Sequence, residues 1–142
     1  MYVLRDASGR YSPDGWSRRA VDLYRELRAD RIVCEQNFGG AMAEATIRHV
    51  DPRVPVKMVV ASRSKQVRAE APAALYEQRR VHHVGQFPAL EDQLCEWSPL
   101  TSSGSPDRLD ALVWAITDLS GATPSVKVQD LWGGLQSLGW SR

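Results

Sequence analysis

The sequence of 142 residues lacks the features typical of disulfide-rich, zinc-binding, membrane-spanning and secreted proteins. Its two cysteines, Cys34 and Cys95, are far apart and form no CxxC pair, which argues against a disulfide framework or a zinc site. No run of 18 apolar residues occurs, so a transmembrane helix is not expected. The N-terminus lacks the charged-then-apolar order of a signal peptide, so the cytoplasm is the expected location. The formal net charge is +1, so any contact with nucleic acid must come from a local basic patch.

What the sequence does contain is typical of a globular domain. Hydrophobic residues make up 43% of the chain and charged residues 25%, which is enough apolar material for a core. Short apolar runs alternate with helical periodicity, and this order predicts an α/β fold with a largely parallel central portion and helices on its faces. Strands are predicted at residues 2–5, 31–34, 56–60 and 81–84. Helices are predicted to begin at Ser12 and to cover residues 41–49, 64–79 (with a kink or break at Pro72), 88–97 and 105–119. The domain is expected to span residues 1–120 and to be followed by a Gly-rich tail, 121–142.

An acidic residue directly follows the second predicted strand. Glu35 is therefore expected at the carboxyl end of a buried strand, the edge where open α/β sheets bind ligands. A carboxylate at such a position is costly unless it is paired, hydrogen-bonded or bound to a cation. Glu35 could therefore bind a ligand, or it could accept backbone N–H groups from the turn at Gly39 and Gly40 or from the next helix. The residues alone leave both interpretations open.

Two further acids open the last predicted helix. Asp107 and Asp110 are three residues apart and so share a helix face. Adjacent carboxylates repel each other unless a proton or a cation lies between them. Asp107 alone could be an ordinary acid at a helix N-terminus, whereas Asp110 lies near the apolar side of the helix. With Glu35, the two could hold Mg²⁺ or Mn²⁺, which prefer oxygen ligands, and a pair of such ions can clamp a phosphodiester.

Basic residues follow the third predicted strand, at the same edge of the sheet as Glu35. Arg63, Lys65 and Arg68 would place positive charge beside the acidic residues, an arrangement that suits a polyanionic substrate gripped by its phosphates. The alternative is that these residues are simply exposed to solvent at the start of a helix, which is more common for closely spaced lysines and arginines.

The histidines do not suggest a catalytic centre. His82 and His83 are adjacent, so in a strand their side chains point to opposite faces and cannot bind one metal ion together. They are interpreted as structural residues. No histidine has a serine or cysteine partner that would indicate a nucleophilic triad.

Four segments together resemble the C-terminal nuclease domain of phage and prophage terminase large subunits. They are RIVCEQNFGG at 31–40, ASRSKQVRAE at 61–70, LYEQRRVHHVGQFP at 75–88 and SPDRLDALVWAITDL at 105–119. The resemblance runs from about Tyr2 to Leu119, and the SPDRLDALVWA string is its most specific part. A ribonuclease H-like resolvase would share the acids but not this string.

The resemblance implies a ribonuclease H-like mixed sheet with flanking helices. It also implies an endonuclease that cuts concatemeric double-stranded DNA during packaging in the host cell, with two Mg²⁺ or Mn²⁺ ions held by three acidic positions. Glu35 and Asp107 match two of these positions, and Asp110 is either a companion ligand or a group that supports the ligands from behind. The partners implied are DNA, the terminase ATPase domain, the small terminase and the portal, with no membrane.

The basic positions and the start of the chain complete the comparison with this family. Arg63, Lys65 and Arg68 match the segment that would face DNA. In the family, the first metal-binding Asp lies on a strand that precedes the one resembling residues 2–5, so we expect an N-terminally truncated domain without that Asp. No GxxxxGK[ST] phosphate loop occurs in the sequence. Catalysis by this chain therefore stays open, and the alternative is a non-catalytic fragment that acts in DNA binding or assembly.

Overall fold

The computed structural model describes residues 1–36, 40–97 and 106–121 of the chain. Strands and helices alternate there, which confirms the predicted α/β class. Their order is β1 (Tyr2–Val3), α1 (Pro13–Glu26), β2 (Ile32–Glu35), α2 (Gly40–Val50), β3 (Val56–Val59), α3 (Lys65–Glu77), β4 (His82–His83), α4 (Pro88–Glu96) and α5 (Asp107–Ser120). Each predicted strand and helix is present, with ends shifted by a few residues. The predicted loop at 101–105 and, beyond Gly121, the predicted tail lie outside the described residues.

The strands form two parallel pairs. In one pair, β2 lies beside β3, with Ile32 opposite Val56 and Glu35 opposite Val59. In the other, β1 lies beside β4. Within the described ranges no strand joins the two pairs, and a cavity of about 680 Å³ is lined by residues of both β1 and β2. The single mixed sheet that we expected is therefore observed as two parallel pairs, because the hydrogen-bonding edges of β1 and β2 do not meet.

Local sequence signals explain two of the helix ends. The Ser12 hydroxyl accepts the Gly15 N–H at 3.1 Å and caps α1. Gly121 ends α5 in the left-handed conformation, with φ of 63°, which glycine adopts at no steric cost. The break considered at Pro72 is not observed, since α3 continues through this residue. No helix in the described part of the chain is long and apolar enough to cross a bilayer.

The first core lies where α1 and α2 pack on the β2–β3 pair. Val21, Ile47 and Val54 are almost completely buried at its centre. Partly buried hydrophobic residues surround them, namely Trp16, Tyr24, Ile32, Cys34, Val50 and Val56. These residues come from both helices and both strands, so this core fixes the position of β2 and of its carboxyl end.

Helix α5 connects the two parts of the fold. Its apolar side contributes Ile116 to a second core with Leu75 and Val81, next to the β1–β4 pair. On its other side Asp118, whose side chain is only 6% exposed, forms ion pairs with Arg31 (3.0 Å) and with Lys57 of β3. Because α5 is held from both sides, its N-terminal turn has a defined position relative to β2.

An ion pair between the buried Asp51, which follows α2, and the half-exposed Arg25 makes the stability of this core depend on pH. Arg25 Nη2 donates to Asp51 Oδ2 at 2.6 Å, and the Arg53 N–H donates to Oδ1 at 3.0 Å. The Arg25 hydrogen bond, followed by that from Arg53, lowers the pKa of Asp51 below its usual value of 3.8. A lowered pKa in the folded state stabilises the protein above the unfolded-state pKa, and this stabilisation is lost as the pH falls through the folded value.

We therefore expect Asp51→Asn to reduce the acid sensitivity of folding. The urea midpoint of the natural chain should fall between about pH 5 and about pH 3, and Asp51→Asn should show a smaller fall from a lower starting point. Urea denaturation followed by circular dichroism at both pH values measures this. If the urea midpoint of the variant falls between the two pH values as much as that of the natural chain, Asp51 does not cause the acid sensitivity.

Candidate active site

A pocket of about 500 Å³ lies where β2 ends and where α3 and α5 begin. Its polar lining consists of the side chains of Glu35, Lys65, Arg68, Asp107 and Asp110. Its small and apolar lining consists of Val33, Ala61 and Ala111. The structure thus brings together five of the six residues that the sequence singled out. The sixth, Arg63, lies in the turn before α3 and is not among the residues that line the pocket.

The strand register explains how Glu35 reaches this pocket. Glu35 is the last residue of β2 and pairs with Val59, the last residue of β3, so both strands end at the same edge. The chain leaves β3 there and begins α3 at Lys65. The preceding residue, Ser64, caps this helix, since its hydroxyl accepts the Val67 N–H at 3.4 Å. The side chain of Glu35 is 23% exposed, as expected for an acid at the mouth of a pocket. The turn at residues 37–39, considered above as a backbone partner for Glu35, lies outside the described residues.

The N-terminus of α5 is capped by a side chain from another helix. Gln93 Oε1 of α4 accepts the backbone N–H groups of Arg108 and Leu109, at 3.1 and 3.2 Å. The residue before the helix, Pro106, makes no side-chain cap. Since Gln93 satisfies these donors, capping of this end does not rest on Asp107. This favours the interpretation of Asp107 as a residue of the pocket.

Carboxylates and cations alternate around the pocket. The Lys65 ammonium forms an ion pair with Asp110, and Arg68 Nη1 lies 3.7 Å from Glu35 Oε1. Within the described residues, no group of three or more histidine, cysteine or acidic side chains is close enough to hold a metal ion. The three acids therefore share one pocket, and two basic side chains offset only part of their charge. Carboxylate oxygens are the ligands that Mg²⁺ and Mn²⁺ prefer, so the donor set fits a hard divalent cation.

Trp114 is a residue of this region that sequence reasoning missed. The Arg68 guanidinium lies over its ring, with the carbon of the guanidinium 4.7 Å from the ring centroid. Asp110, Trp114 and Asp118 are spaced by four residues, which places them on one face of α5. Each of the three faces a basic partner. The spacing is visible in the sequence and could have indicated that this face of α5 is polar and buried.

The histidine pair lies outside the pocket, as the structural interpretation requires. His83 contacts the Tyr76 hydroxyl through Nε2 at 2.7 Å and Glu91 Oε1 through Nδ1 at 2.9 Å. The His83 hydrogen bond lowers the pKa of Glu91, while burial, together with the charge of Glu91, raises the pKa of Tyr76 to about 12. This chain of contacts joins α3, β4 and α4. The ring of His82 lies 5.5 Å from that of Tyr2.

Comparison with known protein families matched most of the chain. Over residues 2–119, the chain matches the family described as Terminase RNaseH-like domain. No curated protein and no solved structure matched the chain. The matched range runs from β1 into the last turn of α5 and includes every residue that lines the pocket.

Proposed function

Because the chain belongs to the terminase RNaseH-like domain family, we propose that it is a metal-dependent endonuclease domain of a viral DNA-packaging terminase. The observation that carries the proposal is the pocket in which Glu35 meets Asp107 and Asp110. These acids come from two elements far apart in sequence, the end of β2 and the first turn of α5. The proposed substrate is concatemeric double-stranded DNA. The proposed partners are the terminase ATPase domain, the small terminase and the portal.

Glu35, Asp107 and Asp110 would hold Mg²⁺ or Mn²⁺ as oxygen ligands. When bound, such ions activate water and stabilise the attacking and leaving oxygens of a phosphodiester. The chain contributes the negative charge that keeps the ion in place. It also contributes the small and apolar walls of Val33, Ala61 and Ala111, beside which a phosphate would lie.

The basic residues at the start of α3 would bind the DNA backbone. Lys65 lines the pocket with its side chain 34% exposed, and Arg63 precedes it in the turn after β3. Lysine and arginine at such a position fix the register of a duplex through its phosphates without reading its sequence. The net charge of +1 means that this local patch has to supply the attraction.

A second candidate function is DNA binding or assembly without cleavage. It is favoured by one observation, namely that no ready-made cluster of three metal ligands exists within the described residues. In that case Lys65 and Arg68 would be permanent partners of Asp110 and Glu35.

Cleavage of supercoiled plasmid DNA distinguishes the two candidates. We expect nicking or linearisation by the chain with Mn²⁺ or Mg²⁺, none with EDTA, and at least about a 100-fold slower reaction for Glu35→Gln. Glu44→Gln is the matched control, because Glu44 pairs with Arg48 on α2 and does not line the pocket. Retention of DNA without any metal-dependent cleavage would refute the nuclease proposal and support the binding module.

A further inference from the structure

We infer that Arg68 is the built-in counter-cation of Glu35, held in place by Trp114, and that a divalent cation must compete with Arg68 for the Glu35 carboxylate to bind. Arg68 would then be a positioning residue that sets the metal affinity of the pocket. The inference rests on the proposed function, since it takes Glu35 as a metal ligand. It differs from the expectation that Arg68 grips DNA.

The burial of Arg68 is the first argument. Its side chain is only 8% exposed, which is unusual for a group that stays charged at every physiological pH. Its Nε and Nη1 atoms are buried and have no hydrogen-bond partner within the described residues. A buried charge is costly without compensation. Two groups supply it here, Glu35 Oε1 at 3.7 Å and the Trp114 ring, with its centroid at 4.7 Å.

The geometry of the Arg68–Glu35 contact is the second argument. The 3.7 Å between Arg68 Nη1 and Glu35 Oε1 is short enough for an ion pair but too long for a hydrogen bond. The Glu35 carboxylate is therefore attracted to Arg68, but no hydrogen bond fixes its orientation. The contact with Trp114, by contrast, places the guanidinium carbon over the ring and does not depend on Glu35. Glu35 can therefore turn to another cation while Arg68 stays on the ring.

The limited access to the Arg68 guanidinium is the third argument. Two of its three nitrogens, Nε and Nη1, are not exposed to solvent and cannot bind a DNA phosphate in this arrangement. Lys65, which is 34% exposed, is better placed for that role. Arg68 also places a positive charge beside the carboxylate that a metal ion would use, and like charges at this range repel. The metal ion and Arg68 therefore compete for Glu35.

Manganese binding measured without DNA tests the competition. Electron paramagnetic resonance of free Mn²⁺ should show about tenfold tighter binding by Arg68→Met than by the natural chain, within the usual range of coupling between two sites. Arg31→Met is the matched control, because Arg31 pairs with Asp118 and does not line this pocket. The Mn²⁺ affinity of this variant should differ from that of the natural chain by less than about twofold. Structural damage alone would weaken binding, so unchanged or weaker binding by Arg68→Met overturns the inference.

Trp114→Phe gives a second test that keeps a ring beside Arg68. Phenylalanine attracts a cation less strongly than tryptophan does, so this variant should also bind Mn²⁺ more tightly, by a smaller factor than Arg68→Met. Addition of Mg²⁺ should change the tryptophan emission of the natural chain, and the change should disappear in Trp114→Phe. A signal that persists in this variant contradicts the role assigned to Trp114.

Glu35→Gln separates failure of this inference from failure of the proposed function. If the natural chain binds no Mn²⁺, or if Glu35→Gln binds it equally well, the proposed metal site itself is wrong. If binding needs Glu35 but Arg68→Met binds no more tightly, the metal site stands and only the competition is refuted.

Discussion

Asp110→Asn should slow metal-dependent DNA cleavage by at least about 100-fold. Loss of a group that merely orients a metal ligand already reduces metal affinity or activity by about 10- to 100-fold, so removal of a ligand should cost at least the upper value. Asp110 lies in the first turn of α5, lines the pocket and is 19% exposed. Asparagine keeps its shape and removes only the charge. Initial rates of plasmid nicking in Mn²⁺ measure the effect.

Asp118→Asn is the matched control, since Asp118 lies two turns further along the same face of α5 and outside the pocket. Its side chain is 6% exposed and pairs with Arg31 and Lys57. Loss of its charge should lower the free energy of unfolding by about 2 kcal/mol, less than for a fully buried pair because both partners are half exposed. Cleavage per folded molecule should fall far less than in Asp110→Asn, because the core around Ile116 still holds α5. Equal loss of cleavage in both variants would contradict a specific role for Asp110.

Ile47→Ala should lower the free energy of unfolding by about 3–4 kcal/mol. Ile47 is completely buried between Val21 and Val54, where removal of three carbons leaves a cavity that the helices and strands cannot close. Such a loss is a large part of the stability of a domain of this size. Urea denaturation followed by circular dichroism measures the difference.

Met42→Ala provides the comparison within the same helix. Met42 is 70% exposed, so its truncation should change the free energy of unfolding by less than about 0.5 kcal/mol. If both variants lose the same small amount, α2 does not pack on the β2–β3 pair as described. The position of Glu35, which depends on that packing, would then be in question.

Much of the fold could be predicted from local signals. The apolar runs at β2 and β3 and the Ser-Pro-Asp start of α1 each depend on residues close together in the chain. The place of Glu35 at the edge of a parallel pair follows from the alternation of strands and helices. Local signals do not fix which strands share hydrogen bonds. The sequence therefore predicted one sheet, whereas the strands of the described residues form two pairs.

The acidic residues of the pocket were predictable, whereas their partners were not. Asp107 could be a capping residue or a ligand, and the choice depends on Gln93, which reaches α5 from another helix. The same holds for Arg68, whose burial is caused by Trp114, 46 residues later in the chain. Such contacts between distant residues are set by the packing of helices. The spacing of residues along the sequence therefore gives little indication of them.

The central claim is that Glu35, Asp107 and Asp110 together bind a divalent cation. Diffraction from crystals soaked in Mn²⁺, recorded near the manganese absorption edge, tests it most directly. The account predicts an anomalous peak inside the pocket, within about 2.0–2.4 Å of oxygens from β2 and α5, and its loss in Glu35→Gln. A fully soaked crystal with no peak there, or with manganese bound only elsewhere on the chain, would contradict the claim.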